Sequence, residues 1–488
     1  MPLKKNPLIY EINTKVWLNE LSKKHSKQIS LSTIPAQELN QLVEYGIDAV
    51  WLMGVWKRSL KGAEIARTHP VLKHEYTDIL GSWRDEDIGA SPYAILDYEV
   101  DPLLGGESGL AALREHFKKH QIKLILDFIP NHFAIDTPFL DTNPSAFLQN
   151  ESGNQHLDQS YFQHKNNTGN YSFAHGKDPY FPSWTDTVQI DYSKQAARSF
   201  MTTLLEKAAA YCDGLRCDMA QLIIPKVFEK TWGKKFDRPE TFWKSAIQKV
   251  KSIRPDFTFI AEVYWALEWE LQQEGFDFTY DKILYDRLRY STPDDVRGHL
   301  WAELSYQEKL LRFIENHDED RAITAFADKA KVAALLCATV PGATLLHQGQ
   351  LIGRSKKIPV QLARLPEELP NPDIKSFYHV LLKELKEDIY HLGEWNIIQS
   401  FSAGDDTWHN IVSYQWTMGD QTRIIALNLN KQESSAYIRP RLTLNHGKTI
   451  LFIDRLNDQR YEYETWRLNK DGLYIKLAPY TAHLFDVK

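Results

Sequence analysis

Eight short apolar runs punctuate the chain between Leu8 and Leu346, at residues 8–12, 49–53, 123–127, 214–218, 258–262, 276–278, 311–314 and 343–346. A strand covered on one face alternates apolar and polar positions. These runs are apolar almost throughout, which predicts strands buried on both faces. Between them lie stretches of helical periodicity. One covers 34–45 and stops at Gly46, a fitting C-terminal cap. In another, Leu110, Leu113 and Phe117 form an apolar face that Ser108 is placed to cap. Further helices are predicted over 194–210, 242–253 and 374–387. Eight strands alternating with helices predict an α/β chain, a (β/α)8 TIM barrel whose functional groups gather at the C-terminal rim.

The alternation breaks in two places. From Phe133 the chain is rich in Asn, Asp, Gly, Ser and Pro and carries Phe-Pro-Ser-Trp184. That stretch is too long for a plain loop and reads as a small irregular domain inserted after the third strand. After Trp395, runs such as 422–428, 449–454 and 472–477 are short strands among Asn, Asp and Gly turns, and they predict a C-terminal antiparallel β-sandwich. The expected domains are therefore 1–132 with 192–392 for the barrel, 133–191 for the insert and 393–488 for the sandwich. This agrees with a length of 488 residues, too great for one core.

Four of the segments place chemistry at strand ends: Asp127-Phe-Ile-Pro-Asn131-His132, Gly214-Leu-Arg216-Cys-Asp218, Phe259-Ile-Ala-Glu262 and Phe313-Ile-Glu-Asn-His317-Asp318. Asp218, Glu262 and Asp318 at neighbouring rim positions can converge on one point, and three carboxyl groups buried together without a purpose would be costly. Two of them 5–5.5 Å apart is roughly the arrangement for glycosidic cleavage through a covalent intermediate. Arg216 shares the inward face with Asp218 and can hold it ionised. Asp127 and Arg216 also read as a structural ion pair within the rim.

Composition narrows the partners. A formal charge of −6 argues against nucleic acid or an anionic membrane, and no apolar stretch reaches membrane-spanning length. Cys212, Cys217 and Cys337 lack metal-site spacing and read as reduced thiols, which with the lack of an export signal predicts a cytoplasmic protein. The 14 Trp, 23 Tyr and 22 Phe either fill large cores or in part line a cleft and stack on sugar rings.

Taken in order, these segments resemble the signature regions of the α-amylase family of glycoside hydrolases. The resemblance implies a retaining enzyme that hydrolyses α-glucosidic, most naturally α-1,4, bonds in glucans or maltooligosaccharides. Its rivals are a transglycosylase with the same intermediate and a non-catalytic sugar-binding relative. It implies Asp218 as nucleophile, Glu262 as general acid/base and Asp318 as the carboxylate gripping sugar hydroxyls. His132, Arg216 and His317 are implied as contacts in the cleaved-sugar subsite. Tyr93, in Ser91-Pro-Tyr93-Ala-Ile-Leu-Asp97-Tyr98, is implied to stack on that sugar, while Asp97 reads as a turn cap. Gln189-Ile-Asp191-Tyr192 resembles the motif that closes the insert. Asn131 and Asp191 match positions that in many relatives hold a structural calcium; the alternative is an Asn–Asp hydrogen bond tying the insert down. No organic cofactor is implied.

Two departures stand out. Met219-Ala-Gln221-Leu222 follows Asp218 where many relatives have Lys-His touching the leaving-group side, so polar contacts there should be weak and aromatic stacking more important. Lys357-Ile-Pro-Val-Gln361 stands where some relatives carry an arginine, whose planar fork lysine lacks.

Overall fold

Eight parallel strands close on themselves in the computed structural model, which describes residues 2–150, 160–167, 169–238, 240–442 and 449–488. They are β1 (Leu8–Asn13), β2 (Ala49–Met53), β3 (Lys123–Phe128), β4 (Gly214–Cys217), β5 (Thr258–Ala261), β6 (Phe278–Tyr280), β7 (Leu310–Arg312) and β8 (Ala343–His347). β1 pairs with both β8 and β2, which seals the barrel. Every residue of β2, β4, β5 and β8 is buried, as expected for strands with side chains filling the barrel on one face and meeting helices on the other.

Three elements differ from the sequence reading. The sixth strand is Phe278–Tyr280, two residues later than the apolar pattern suggests. Phe276 is buried outside the ladder, its ring 4.9 Å from Trp243, so its hydrophobicity serves helix packing. The seventh strand is Leu310–Arg312; Phe313 and Ile314 stay buried as the chain leaves the sheet. Ser108 caps nothing, because Gly105, with φ +115°, opens the helix Gly106–Lys119 three residues earlier. Gly46 ends Ala36–Tyr45 at φ +75°, a conformation that suits glycine.

Between β2 and β3 the chain makes an excursion not legible in its periodicity. An antiparallel pair, Trp56–Arg58 with Ile95–Val100, encloses the helices Leu60–Thr68 and Pro70–Leu80. After β3, His132–Ala134 pairs with Thr187–Gln189, so both ends of the insert are stitched together beside the rim. A hairpin, Tyr161–Asn166 with Gly169–Ala174, packs through Phe173 on Phe147, ring centroids 6.0 Å apart. Of the expected insert, residues 151–159 and 168 lie outside the described residues.

Beyond the barrel, an antiparallel six-stranded sheet faces a three-stranded one. Ile424, Ala436, Phe452 and Ile475 are among the buried side chains between them. This is the sandwich predicted from short strands set among turns, with residues 443–448 outside the described residues. Its six-stranded sheet is tied to the barrel by Trp416, whose indole N–H donates to the Thr339 carbonyl at 2.6 Å.

Candidate active site

β4 and β5 run in parallel register with Cys217 opposite Ala261, so the next residues, Asp218 and Glu262, emerge side by side at the C-terminal rim. The backbone ladder extends to both: the Asp218 N–H donates to the Phe128 carbonyl at 2.8 Å and the Glu262 N–H to that of Cys217 at 3.0 Å. Arg216 stands opposite Asp127 in the β4–β3 register, and strand alternation turns it to the same inward face as Asp218.

The Arg216 guanidinium joins the cluster. Nη1 lies 2.8 Å from Asp218 Oδ1 and Nη2 lies 2.8 Å from Glu262 Oε2. Nη1 is also 3.5 Å from Asp127 Oδ1, and Nε donates to the Tyr280 hydroxyl at 3.2 Å. The guanidinium carbon sits 4.9 Å from the Trp51 ring centroid and 5.3 Å from that of Tyr93. Asp127 is held in turn by the Trp51 indole at 3.1 Å and the Gly54 N–H at 3.3 Å. Removing one partner of a buried ion pair costs about 3–5 kcal/mol, so Arg216 serves the fold as well as the site.

Glu262 has two further donors. The Met219 N–H reaches Oε2 at 2.7 Å and the Tyr264 hydroxyl reaches Oε1 at 2.9 Å. Met219 adopts φ +41°, a left-handed conformation uncommon outside glycine, and it does so where its amide meets Glu262.

A second group faces this one across the rim. His317 Nε2 is 2.7 Å from the Tyr93 hydroxyl and 2.9 Å from Asp318 Oδ2. The Tyr93 and His317 rings stack with centroids 5.4 Å apart. On the far side, His317 Nδ1 is 2.5 Å from Glu11 Oε1. Lys357, the expected arginine substitute, donates from Nζ to the Asp318 carbonyl.

Charge is unevenly spread over these groups. Burial, and after it the Glu262 charge, pushes the Asp218 carboxyl well above the usual carboxylate range, with Arg216 opposing. Two carboxylates against one guanidinium leave one negative charge over, which favours a single proton held by the pair. Burial lifts Asp127 to about 6 against the pull of Arg216. At Asp318 the upward push of desolvation is outweighed by His317, so its carboxyl stays below the usual range. Burial also drops His132 to about 4, which leaves it neutral at pH 7.

The remaining expected residues divide. His132 is buried at the insert's first strand, with its ring 5.2 Å from Trp184. Asp97 lies apart, paired with Lys207 at 2.8 Å and bonded to the Tyr98 N–H. Gln221 and Leu222, which stand where many relatives have Lys-His, are buried in the turn Ala220–Ile223. Three residues beyond Glu262 along the chain stands an exposed aromatic. Trp265 is 39% exposed and meets Tyr180, 57% exposed, with centroids 5.0 Å apart. Lys230 donates to the Tyr180 hydroxyl at 2.7 Å. Glu11, Tyr264 and Tyr280 were not picked out from sequence; a glutamate inside the apolar run Leu-Ile-Tyr-Glu-Ile was the available signal for the first.

Asn131 and Asp191 do not fit a calcium site. Asn131 Oδ1 accepts the Gln189 side-chain amide at 3.0 Å, and Asp191 Oδ1 accepts the Ser193 hydroxyl at 2.5 Å. The Lys194 ammonium lies 3.1 Å from Asp191 Oδ2, with Lys234 at 3.8 Å, so positive charge already stands where a dication would bind. Calcium needs six to eight oxygen ligands, and among the described residues no group of three or more His, Cys, Asp or Glu is placed to hold a metal.

A family model described as the alpha amylase catalytic domain matches residues 34–388, well over half of the chain. The chain belongs to the alpha-amylase family. An alpha-amylase from Haloarcula japonica is 22% identical over 442 residues, covering 88% of this chain and 56% of that protein. A cyclomaltodextrinase from Geobacillus thermopakistaniensis is 23% identical over 420 residues, covering 81% of this chain and 65% of that protein. The chain thus spans less than two thirds of the length of these family members. Among solved structures, a noncanonic maltogenic alpha-amylase from Thermotoga neapolitana superposes with a TM-score of 0.71 at 21% identity, covering 99% of this chain and 98% of that one.

Proposed function

We propose that the protein cleaves α-glucosidic bonds, most naturally α-1,4 bonds of maltooligosaccharides or glucans, with retention of configuration. The observation that carries this reading is the Arg216 clamp, two rim carboxylates held on adjacent nitrogens of one guanidinium. Retaining enzymes place their carboxyl groups about 5–5.5 Å apart, whereas inverting ones leave about 6.5–9.5 Å for a water. Side-by-side carboxylates on one guanidinium match the short spacing.

The mechanism needs the pair's proton on Glu262 at the moment of attack, and since burial favours protonated Asp218 in the free site, sugar binding has to favour the Asp218 carboxylate. Asp218 attacks the anomeric carbon while Glu262 gives that proton to the departing oxygen, producing a glycosyl ester on Asp218. Glu262, now a carboxylate, takes a proton from water or from a sugar hydroxyl, which attacks the same carbon and frees Asp218. Asp318, His317 and Tyr93 grip the hydroxyls of the sugar being cleaved, and Arg216 keeps Asp218 aimed. His132 supports the same subsite from the insert.

The exposed pair Trp265 and Tyr180 favours transfer to sugar as a second outcome. A stacked ring accepts varied glucosides, because apolar sugar faces resemble one another. Incubation with a panel of maltooligosaccharides, sampled over time, tests both readings. Shorter products establish cleavage, and products longer than the substrate at high concentration establish transfer. Absence of any shorter product would overturn the proposal.

The insert is held to the barrel without calcium in this reading. Chelator treatment should leave the melting temperature unchanged, whereas Lys194→Met, which strips the charge partner from buried Asp191, should lower it. A chelator-induced drop restored by calcium would contradict this. Among the described residues no helix is long and apolar enough to cross a membrane. Cys212, Cys217 and Cys337 are buried and unpaired, which supports a reducing, cytoplasmic setting.

A further inference from the structure

Glu11 sits inside the barrel, where nothing in the proposed reaction requires a carboxylate. It is fully buried on β1, in register with Trp51 on one side and His347 on the other. Oε1 meets His317 Nδ1, while Oε2 has no hydrogen-bond partner. A buried glutamate with one unpaired oxygen is costly, so the position has a use or a compensation. The compensation is charge on His317. With Nδ1–H committed to Glu11, a neutral imidazole would turn its Nε2 lone pair toward the Asp318 carboxylate 2.9 Å away, acceptor against acceptor. Only the imidazolium donates on both sides.

We propose that Glu11 is a positioning residue that keeps His317 a doubly donating imidazolium, and through it fixes Asp318 and Tyr93 for the sugar. This rests on the functional reading above. The groups around His317 bear it out in sign. Burial works against the charge, and Asp318 and Glu11 outweigh it, so His317 stays protonated well above its ordinary range. Burial pushes Glu11 up, and His317, with His347 and Arg216 behind it, brings it below the usual carboxylate range. Asp127 acts on His317 from β3 and Tyr93 bonds it from the loop after β2, Lys357 stands behind Asp318, and His347 and Arg216 act on Glu11 itself.

Glu11→Gln keeps the shape and removes the charge. His317 then loses one of the two carboxylates that hold its charge, so its pKa falls while Asp318 still raises it. Above the lowered pKa a charge-assisted contact to Asp318 becomes a neutral one, so the alkaline limb of the kcat/KM profile should move to lower pH than in wild type, with about a tenfold loss on that limb. Two readouts test this: the pH profile of kcat/KM on maltotriose, and the His317 imidazole signal followed by NMR in histidine-labelled protein, assigned with His317→Asn. In a His317→Asn background, where that signal is gone, Glu11→Gln should leave the pH profile unchanged. An unmoved His317 titration with an unchanged profile overturns the proposal, as does an equal loss in the His317→Asn background. If wild type cleaves no glucan, the functional reading fails on its own, while the His317 titration still decides the role of Glu11.

Discussion

Asp218→Ala should lower kcat by at least about 10⁴-fold, the scale on which an enzyme that acts through a covalent intermediate loses its nucleophile. The fold should not suffer. Burial and Glu262 raise the Asp218 pKa in the folded state, so its ionised form costs stability wherever the unfolded chain would ionise it, above about pH 3.9. Removing the carboxyl relieves that cost at neutral pH, and Arg216 keeps Glu262 and Asp127 as partners. The melting temperature should therefore be unchanged or higher at pH 7, with any gain vanishing below about pH 4. Steady-state kinetics and a thermal melt on the same preparation check both parts. Substantial turnover in a normally folded variant would place the nucleophile elsewhere.

Glu262→Gln should separate protonation from attack. The amide oxygen in the Oε2 place can still accept from the Met219 N–H, and the amide NH2 in the Oε1 place can donate to the Tyr264 hydroxyl oxygen, so the site keeps its shape. What it loses is the proton for the leaving oxygen, worth about 10²–10⁴-fold. Maltooligosaccharides, whose leaving group is a poor one, should show the full loss in the first step. Activated aryl glucosides depart unprotonated and should show far less there, then accumulate the glycosyl-enzyme because no base activates water. Rapid-quench measurement of the first step on both substrates checks this. An equal loss on both would remove Glu262 from the acid role.

The barrel was legible because its strands must be buried on both faces. Runs such as Ala49–Met53 carry no polar residue to disguise them, and the alternation with helices then dictates a parallel closed sheet. The rim carboxylates were legible for the same reason, since Asp218 and Glu262 interrupt apolar runs where each strand ends. Tyr93 was placed by motif, but the paired strands and helices of 56–100 that carry it were not foreseen. Their burial is against the barrel and one another, with no repeating period to announce it. Glu11 was missed although it breaks the rule that exposed Asp218: a charge within a buried run marks a site even away from the strand end. Gln221 shows the opposite limit. Its place after Asp218 said only that the Lys-His of many relatives is missing there, and that the turn Ala220–Ile223 folds it inward was not legible.

A double displacement by the Arg216-bound pair leaves a stereochemical signature. Two inversions at one anomeric carbon restore the α configuration, and a single displacement by water does not. Proton NMR of the first product released from maltotriose, recorded before mutarotation, measures this directly. The arrangement of Asp218 and Glu262 predicts the α-anomer appearing first. The β-anomer appearing first would contradict it.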